Sequence, residues 1–190
     1  MKHIIIFGVA MFCMAAFCKV SAQSPIDNKE AARVFVQKFY DWYGQVYGSK
    51  RHIDAQYILV KQKPQYLDKK LLNAIIADHR GSARHPKEII GMDFDPFANS
   101  LDDRKGFQTG LVTQKVDKFF IDVHDIKNGR SRKAVLASKL VATVEVIKKE
   151  GQFVFKNILY PKTNEYNRGT NLLAVLDSLQ KDRLKNGREN

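Results

Sequence analysis

The sequence predicts an α+β domain in which a curved antiparallel sheet wraps around an N-terminal helix. Apolar residues recur at helical spacing between residues 31 and 46, which is typical of an amphipathic helix. From Leu111 onward, apolar and polar residues alternate over several stretches, as they do in strands with one buried face. Helices followed by a meander of strands favour an architecture in which helices cover one face of the sheet.

The first 22 residues have the features of a secretory signal peptide. A basic start is followed by an apolar run from Ile4 to Phe17 and by small residues before a cleavage point after Ala22. The run is shorter than the roughly 18 residues of a membrane span. We predict a signal peptide at residues 1–22, a single domain at residues 23–190, and a periplasmic or secreted location with no transmembrane segment after cleavage.

Two other interpretations of this N-terminal segment stay open. It would remain attached as an uncleaved anchor, or Cys18 would carry a lipid, although the preceding Phe17 is not the small residue expected before a lipidated cysteine. Cleavage after Ala22 would remove both Cys13 and Cys18. The mature domain would then depend on its core and not on disulfides.

The chain is strongly basic, with a net charge of +12 that falls to about +10 when Lys2 and Lys19 are removed. An exported protein with this charge can associate with anionic membrane surfaces, envelope polymers or acidic protein partners. The basic residues are spread along the chain, which is typical of a solvated surface. Nucleic acid is not an expected partner, because no basic strand with interleaved aromatic residues is present.

The predicted first helix begins near Asp27, whose spacing to Glu30 resembles a capping box. Its apolar stripe includes an aromatic cluster at residues 39–43. We expect this cluster either to pack against the sheet or to contribute Trp42 and Tyr43 to a pocket, since both of these side chains keep a polar atom.

Further helices are predicted on both sides of residue 68. The first helix ends at Gly48, and a short helix follows near residues 55–60. Asp68 is the expected N-cap of the next helix, which ends before Gly81, so that residues 81–86 form a loop.

The second half of the chain predicts strands and a final helix. Residues that favour strands are dense from Val116 to His124, and Asn128-Gly129 is a typical hairpin turn. Alternating stretches follow at residues 134–147 and 153–160. An amphipathic helix is predicted at residues 171–184.

An acidic segment from Asp93 to Asp103 separates the two halves and contains four carboxylates and two phenylalanines. Pro96 fixes its own φ and keeps Asp95 out of the helical region, so we predict an ordered turn from which the acids project. These carboxylates would bond to the backbone of the turn, bind a cationic ligand, or supply a general base. A metal site is not expected, because Pro96 and Phe97 stand where a calcium loop needs a ligand and a glycine.

Three stretches carry a resemblance to a known family. They are the aromatic residues 39–43, the turn Asp93-Phe94-Asp95-Pro96-Phe97 with acids again at Asp102 and Asp103, and the strand at residues 151–160. In these the chain resembles the exported bacterial family called domain of unknown function 3828, whose fold is of the nuclear-transport-factor-2-like, or cystatin-like cone, type. The resemblance covers nearly all of residues 23–190 and implies export and a cone, without implying an activity. The family has a Gln-Asp pair after the turn, where this chain has Leu101-Asp102.

We predict a non-catalytic periplasmic or secreted binding protein that recognises a protein or a small ligand through a pocket at the mouth of the cone. The specific version is an immunity-type protein that neutralises an exported toxin, since a basic surface would meet an acidic partner and speed association. No cofactor is expected. The residues predicted to line the mouth are Trp42, Tyr43, Asp93, Asp95, Phe97 and Asp102.

The alternative is a hydrolase or isomerase that uses an Asp base in the cone pocket. Asp93 or Asp95 would be the base, and Tyr43 or His124 would be the hydrogen-bond donor. The sequence shows no serine-nucleophile motif, no glycine-rich phosphate loop and no histidine pair at metal-ligand spacing. His79 is expected at the C-terminal end of its helix, where a positive charge would favour the helix dipole.

Overall fold

The computed structural model describes residues 27–49, 52–88, 90–100, 106–126, 138–162 and 169–187. Its helices are α1 (Asn28–Ser49), α2 (His52–Gln62), α3 (Lys69–Ala83) and α4 (Leu172–Lys185). Its strands are β1 (Phe107–Lys115), β2 (Lys118–Asp125), β3 (Leu140–Lys149) and β4 (Gln152–Leu159), and a short 3-10 helix occupies Pro64–Tyr66. Predicted features at residues 1–26, 101–105 and 127–137 lie outside the described residues.

The four strands form one antiparallel sheet in the order β1-β2-β3-β4. This meander, preceded by three helices, confirms the α+β prediction. On β2, buried Phe119, Ile121 and Val123 alternate with more exposed neighbours. Alternate residues of a strand point to opposite faces, so β2 contributes one face to the core. The predicted Asn128-Gly129 hairpin turn lies outside the described residues.

Two tight turns lie at the same end of this sheet. Lys115 pairs with Lys118 and Lys149 pairs with Gln152, so Val116-Asp117 and Glu150-Gly151 are the two-residue loops. The stretch that favours strands begins at Val116, but β2 itself begins at Lys118, because Val116 lies in a turn with a φ of 55°. A β-branched residue in this left-handed region is strained, and the Val116 side chain is also 92% exposed.

The core is built on α1, whose apolar stripe packs against the sheet as predicted. The Phe39 ring lies at its centre, with ring centroids 4.7 Å from Phe155 and 5.4 Å from Phe97. Five residues of the stripe are at most about 1% exposed, namely Ala32, Val36, Phe39, Tyr40 and Tyr43. Helix α1 extends to Ser49, one residue past the predicted end at Gly48.

Gln37 on α1 completes the hydrogen bonding of one edge of the sheet. Its Nε2 donates to the carbonyl of Phe107 at 3.2 Å, and its Oε1 accepts from the backbone N–H of Thr109 at 2.8 Å. The Thr109 hydroxyl donates to the same Oε1 at 2.9 Å. The side-chain amide therefore takes the place of a neighbouring strand along the first part of β1, where an open edge would otherwise expose backbone groups.

Helix α3 begins at its predicted cap, Asp68, and α4, predicted at residues 171–184, begins after an Asn171 cap. The Asp68 carboxylate accepts from the backbone N–H of Lys70 at 3.1 Å, and the Asn171 side chain accepts from that of Ala174 at 3.0 Å. Each bond satisfies one of the donors that a helix leaves unpaired at its N-terminus.

The predicted end of α3 before Gly81 is wrong, because the helix continues to Ala83. Gly81 is buried against Arg183 of α4, and a Cβ at this position would lie 2.6 Å from Arg183 Nε. The glycine is therefore present for a close approach between helices and not as a helix terminator. His79 consequently lies one turn before the end of α3, and its ring stacks on Tyr57 of α2 at 4.6 Å.

Replacement of two helical glycines by alanine is expected to change the free energy of unfolding in opposite directions. Gly44→Ala should raise the free energy of unfolding by about 1 kcal/mol, because alanine favours helix and its Cβ would meet Phe107 at an ordinary 3.6 Å. Gly81→Ala should lower it by about 1–3 kcal/mol through overpacking, because Arg183 is held in place by Asp78. Urea denaturation of both variants checks this, and stabilisation by Gly81→Ala would contradict the close approach.

Candidate functional site

The acidic turn is folded into the molecule. The backbone N–H of Asp95 donates to the carbonyl of Ser100 at 3.1 Å, which closes a loop of tight turns. Every residue from Phe94 to Ser100 is buried. The predicted ordered turn is thus present, but the prediction that its acids project from it is wrong for Asp95, which is 2% exposed.

The carboxylate of Asp95 organises this turn from within. Its Oδ1 accepts from the backbone N–H of Phe97 at 2.9 Å and of Ala98 at 2.7 Å. Its Oδ2 accepts from the hydroxyl of Tyr43 on α1. Asp side chains commonly bond to the backbone two residues ahead in such turns. The geometry therefore matches the structural use predicted for these carboxylates, which is to bond to the backbone of the turn, and not the binding of a cationic ligand or the supply of a general base.

Two further tyrosines bind the same turn through its carbonyls. The Tyr40 hydroxyl donates to the carbonyl of Phe97 at 3.0 Å, and the Tyr160 hydroxyl donates to that of Pro96 at 3.1 Å. We call Tyr40, Tyr43 and Tyr160, together with the turn from Asp95 to Ser100, the tyrosine cluster. It joins α1, the end of β4 and the segment between α3 and β1.

Asn99 connects the tyrosine cluster to the sheet. Its side-chain Nδ2 donates to the carbonyl of Val141 on β3 at 3.1 Å. Its φ of 46° lies in the left-handed region, which Asn tolerates better than most residues. The residue type therefore suits both the backbone conformation and the bond to β3.

The interior of this cluster strongly favours neutral phenols. Burial raises the pKa of Tyr40 above its ordinary value, and the nearby negative charge of Asp95 raises it further. Burial also raises the pKa of Tyr160 well above its ordinary value, with added contributions from Asp95 and Tyr40. These hydroxyls therefore remain hydrogen-bond donors throughout the neutral range.

We expect this cluster to make the protein sensitive to alkali. Because the pKa values of Tyr40 and Tyr160 are raised in the folded state, their contribution to stability is complete below the unfolded-state pKa of about 10 and is lost as the pH rises above it. The free energy of unfolding should then fall by up to about 3 kcal/mol per pH unit for the two groups. Urea titrations at increasing pH measure the slope.

The Tyr160→Phe variant provides the comparison for this prediction. It should be less stable at neutral pH, because the carbonyl of Pro96 loses a donor, but its alkaline slope should be about half as steep. The part of the phenolate absorbance that comes from the buried tyrosines, which ionise after the other tyrosines of the chain, should appear together with unfolding. Full ionisation of the buried tyrosines in a protein that stays folded would contradict the expectation.

The predicted site residues are only partly brought together. Tyr43, Asp95 and Phe97 meet in the buried tyrosine cluster. Trp42 is half-buried beside them on α1, with Lys63 Nζ 6.0 Å from its ring centroid, and Asp93 is exposed. Asp102 lies outside the described residues.

The Asp95–Tyr43 bond also bears on the enzymatic alternative. An Asp base and a tyrosine donor are within hydrogen-bond reach, as that alternative requires. However, Asp95 already accepts three hydrogen bonds inside the core. His124 belongs to the opposite face of the sheet, because it alternates with the buried Val123 and Asp125 of β2. The second predicted donor is therefore not near this carboxylate.

A buried ion pair was missed by the sequence analysis. Arg183 of α4, 2% exposed, donates from Nη1 to Asp78 Oδ1 of α3 at 2.6 Å. The same nitrogen donates to the carbonyl of Ile90 at 3.3 Å, and Asp78 Oδ2 accepts from the backbone N–H of Met92 at 3.1 Å. The pair thus fixes α3, α4 and the segment that leads into the acidic turn.

Arg183 belongs to the basic residues that the sequence predicts at the surface, but the spacing of its own helix indicates burial. Leu172, Leu176 and Arg183 are spaced so that they share one helical face, and all three are buried. A charged residue on an apolar helical face indicates a buried partner.

Two grooves lie among the helices of the described chain. One, between α3 and α4, has a volume of about 420 Å³, and Lys70, Asp177, Gln180 and Arg183 are among its lining residues. The other, between α2 and α3, has a volume of about 250 Å³ and a largely apolar lining. Neither groove includes a residue that the sequence had assigned to a site.

No protein-family profile, no curated protein and no solved structure matches this chain. Within the described ranges, no helix has the length and apolar character needed to cross a bilayer. Among the same residues, no three His, Cys, Asp or Glu side chains lie together in a way that would hold a metal ion.

Proposed function

We propose that this chain is an exported, non-catalytic binding protein of the immunity type, which neutralises an acidic protein partner after removal of residues 1–22. The observation that carries the proposal is the internal use of Asp95. Its carboxylate holds three donors within the core, which is a structural arrangement and leaves the protein surface as the place of recognition.

The same proposal includes the nuclear-transport-factor-2-like cone as the fold of this domain. Helix α1 packs along the sheet, and each pair of neighbouring strands has a register irregularity, near Thr109, Val123 and Glu145. Such irregularities bend strands and increase twist, which favours a sheet that curves around α1. Of the predicted site residues that the structure describes, Trp42 and Asp93 keep exposed surface, and they would lie at the cone mouth.

We propose that the partner binds the end of the sheet with the two tight turns, which we call the hairpin end. Its cations are Lys115, Lys118, Lys148 and Lys149, and the acids Asp117 and Glu150 lie in the two turns. Lys149 Nζ lies 3.8 Å from Asp68 Oδ2, so Lys115 and Lys148 carry most of the positive charge that a partner would meet. Lys118 also pairs with Glu145 at 2.7 Å. The ammonium groups of Lys115 and Lys148 lie 5.7 and 5.6 Å from the ring centroids of Phe120 and Phe153, which positions both charges.

Exposed apolar and backbone groups adjoin these charges. Leu111 is 68% exposed on β1, and Val116 stands at the turn. Within the described residues, no backbone hydrogen bond reaches the outer edge of β1 between Gly110 and Lys115. An edge of this kind can pair with an extended segment of a partner, while the positive charge of the chain speeds the encounter with an acidic one.

The proposal is tested by affinity capture from envelope and secreted fractions with a charge-reversal variant. Lys115→Glu combined with Lys148→Glu should lose a stoichiometric acidic partner that the wild type retains. The control is Lys87→Glu combined with Lys185→Glu, two exposed lysines outside the sheet, which should retain it. Association of the purified pair should slow as ionic strength rises.

A second variant separates binding from stability. Val116→Asn removes the exposed apolar group and places at φ 55° a residue that tolerates this conformation. It should be at least as stable as the wild type and yet bind the partner more weakly. Capture of no stoichiometric partner, or equal loss in the hairpin-end and control variants, would refute the proposed function.

A further inference from the structure

A row of half-buried aromatic rings lies where α1 meets the 3-10 helix and the start of β4. Between ring centroids, the fully buried Phe39 lies 6.0 Å from Trp42 and 5.2 Å from Tyr66. Phe35 continues the row, 5.0 Å from Tyr66 and 5.9 Å from Phe153. Trp42, Tyr66, Phe35 and Phe153 each keep part of their surface exposed, and we call these four residues the aromatic row.

A lysine is positioned at each end of the aromatic row. Lys63 Nζ lies 6.0 Å from the ring centroid of Trp42, and Lys148 Nζ lies 5.6 Å from that of Phe153. Lys38 adds a third positive charge, because it is exposed and lies one helical turn from Trp42 on the same side of α1. The row is therefore a contiguous aromatic surface with cations along it.

Acidic side chains near the row are bound to other parts of the fold. Asp41 accepts from Gln37 Nε2 at 3.0 Å, on the side of α1 that faces β1. Asp68 is 7% exposed and pairs with Lys156 at 3.3 Å. Glu150 is exposed in the turn between β3 and β4, so the positive charge is most complete at the end of the row away from this turn.

The row also presents two hydrogen-bond donors. Among the described residues, neither the indole N–H of Trp42 nor the hydroxyl of Tyr66 has a hydrogen-bond partner, and neither is a fully buried group. Partial burial raises the pKa of Tyr66, so its hydroxyl remains a donor at neutral pH. Such rings, apolar with one polar end, are enriched where an apolar layer meets water.

From these features we propose that the aromatic row is a docking surface for an anionic membrane. The exposed parts of Phe35 and Phe153 would contact the upper acyl chains. The donors of Trp42 and Tyr66 would bond to lipid carbonyl and phosphate oxygens at headgroup level, and the lysines would pair with anionic headgroups. A soluble acidic polymer would satisfy the lysines but offers no apolar layer to the two phenylalanines. The inference rests on the exported location proposed above and not on the acidic partner.

Trp42 is the only tryptophan of the chain, so its fluorescence reports on this surface alone. The test titrates the exported protein, at low ionic strength, with vesicles of phosphatidylcholine and phosphatidylglycerol in equal amounts and with vesicles of phosphatidylcholine alone. The anionic vesicles should shift the emission to shorter wavelength, and lipids brominated on their acyl chains should quench it. Added salt should release the protein from the vesicles.

A charge variant locates the contact. Lys38→Gln combined with Lys63→Gln removes the two charges beside Trp42, so half-maximal binding should need about 10-fold more anionic lipid. The control is Lys87→Gln combined with Lys185→Gln, which lowers the net charge equally at two exposed positions outside the row. It should bind almost as the wild type does. Circular dichroism checks that both variants are folded.

Binding to anionic vesicles with quenching of Trp42, and a loss specific to the Lys38 and Lys63 variant, supports the proposal. No binding to vesicles, binding without a response of Trp42, or an equal loss in the control variant would overturn it. Equal binding to neutral vesicles would indicate attachment through the N-terminal apolar run and would overturn it as well. A Trp42 response to hyaluronan but not to vesicles would assign the row to an acidic polysaccharide instead. Neither variant changes the hairpin end, so capture of the acidic partner is judged separately.

Discussion

Replacement of Asp95 by alanine is expected to lower the free energy of unfolding by about 3–5 kcal/mol. The change removes the acceptor for the backbone N–H groups of Phe97 and Ala98 and for the hydroxyl of Tyr43. Each buried donor left without a partner costs about 1–3 kcal/mol. Chemical denaturation monitored by circular dichroism gives the difference.

Asp93→Ala is the matched control for that experiment. Asp93 has the same residue type and lies two positions away, but it is exposed, and surface substitutions rarely change stability much. The variant should therefore unfold at the same denaturant concentration as the wild type. If Asp93→Ala and Asp95→Ala lost similar stability, or if Asp95→Ala lost almost none, the inward role of this carboxylate would be wrong.

Arg183→Met should be the other strongly destabilising change, with a loss of about 3–5 kcal/mol. Methionine fills much of the volume of the arginine but leaves Asp78 buried without its cation and the carbonyl of Ile90 without this donor. An uncompensated buried charge is more costly than the complete absence of the pair. Asp78→Leu in the same chain should therefore restore part of the lost stability.

The control for the buried pair lies on the same helix. Lys181 and Asp177 form an ion pair of similar length, 2.7 Å, with side chains that are 71% and 62% exposed. Exposed ion pairs contribute little because water already solvates both charges. Lys181→Met should leave the unfolding transition unchanged within error. Equal effects of Arg183→Met and Lys181→Met, or no recovery in the double variant, would argue against a buried pair.

Several elements follow from local patterns in the sequence. The apolar stripe of α1 indicates its buried face, because side chains three and four positions apart lie on one side of a helix. The alternation on β2 and β3 indicates strands for the same geometric reason at a period of two. Asp68 identifies the start of α3, since a short polar side chain there bonds to the helix it precedes.

The candidate site was predicted only in part. The sequence placed an ordered turn around Pro96 and drew attention to Asp95 and Tyr43, which do meet. It did not predict that Asp95 points inward, because a carboxylate is expected to be exposed unless its donors are known. One of those donors, the hydroxyl of Tyr43, comes from α1, 52 positions earlier in the chain. A pattern within a few residues cannot predict a contact over that separation.

By itself, then, the sequence determined which faces are apolar and where most helices and strands lie, because these depend on side-chain periodicity within a few residues. Only the tertiary structure decided the partners of the polar groups. Asp78 and Arg183 are 105 positions apart, and Gln37 reaches Thr109 across 72. Such pairs form because packing of apolar faces brings distant elements together, and a buried polar group must then find a partner where the fold has placed it.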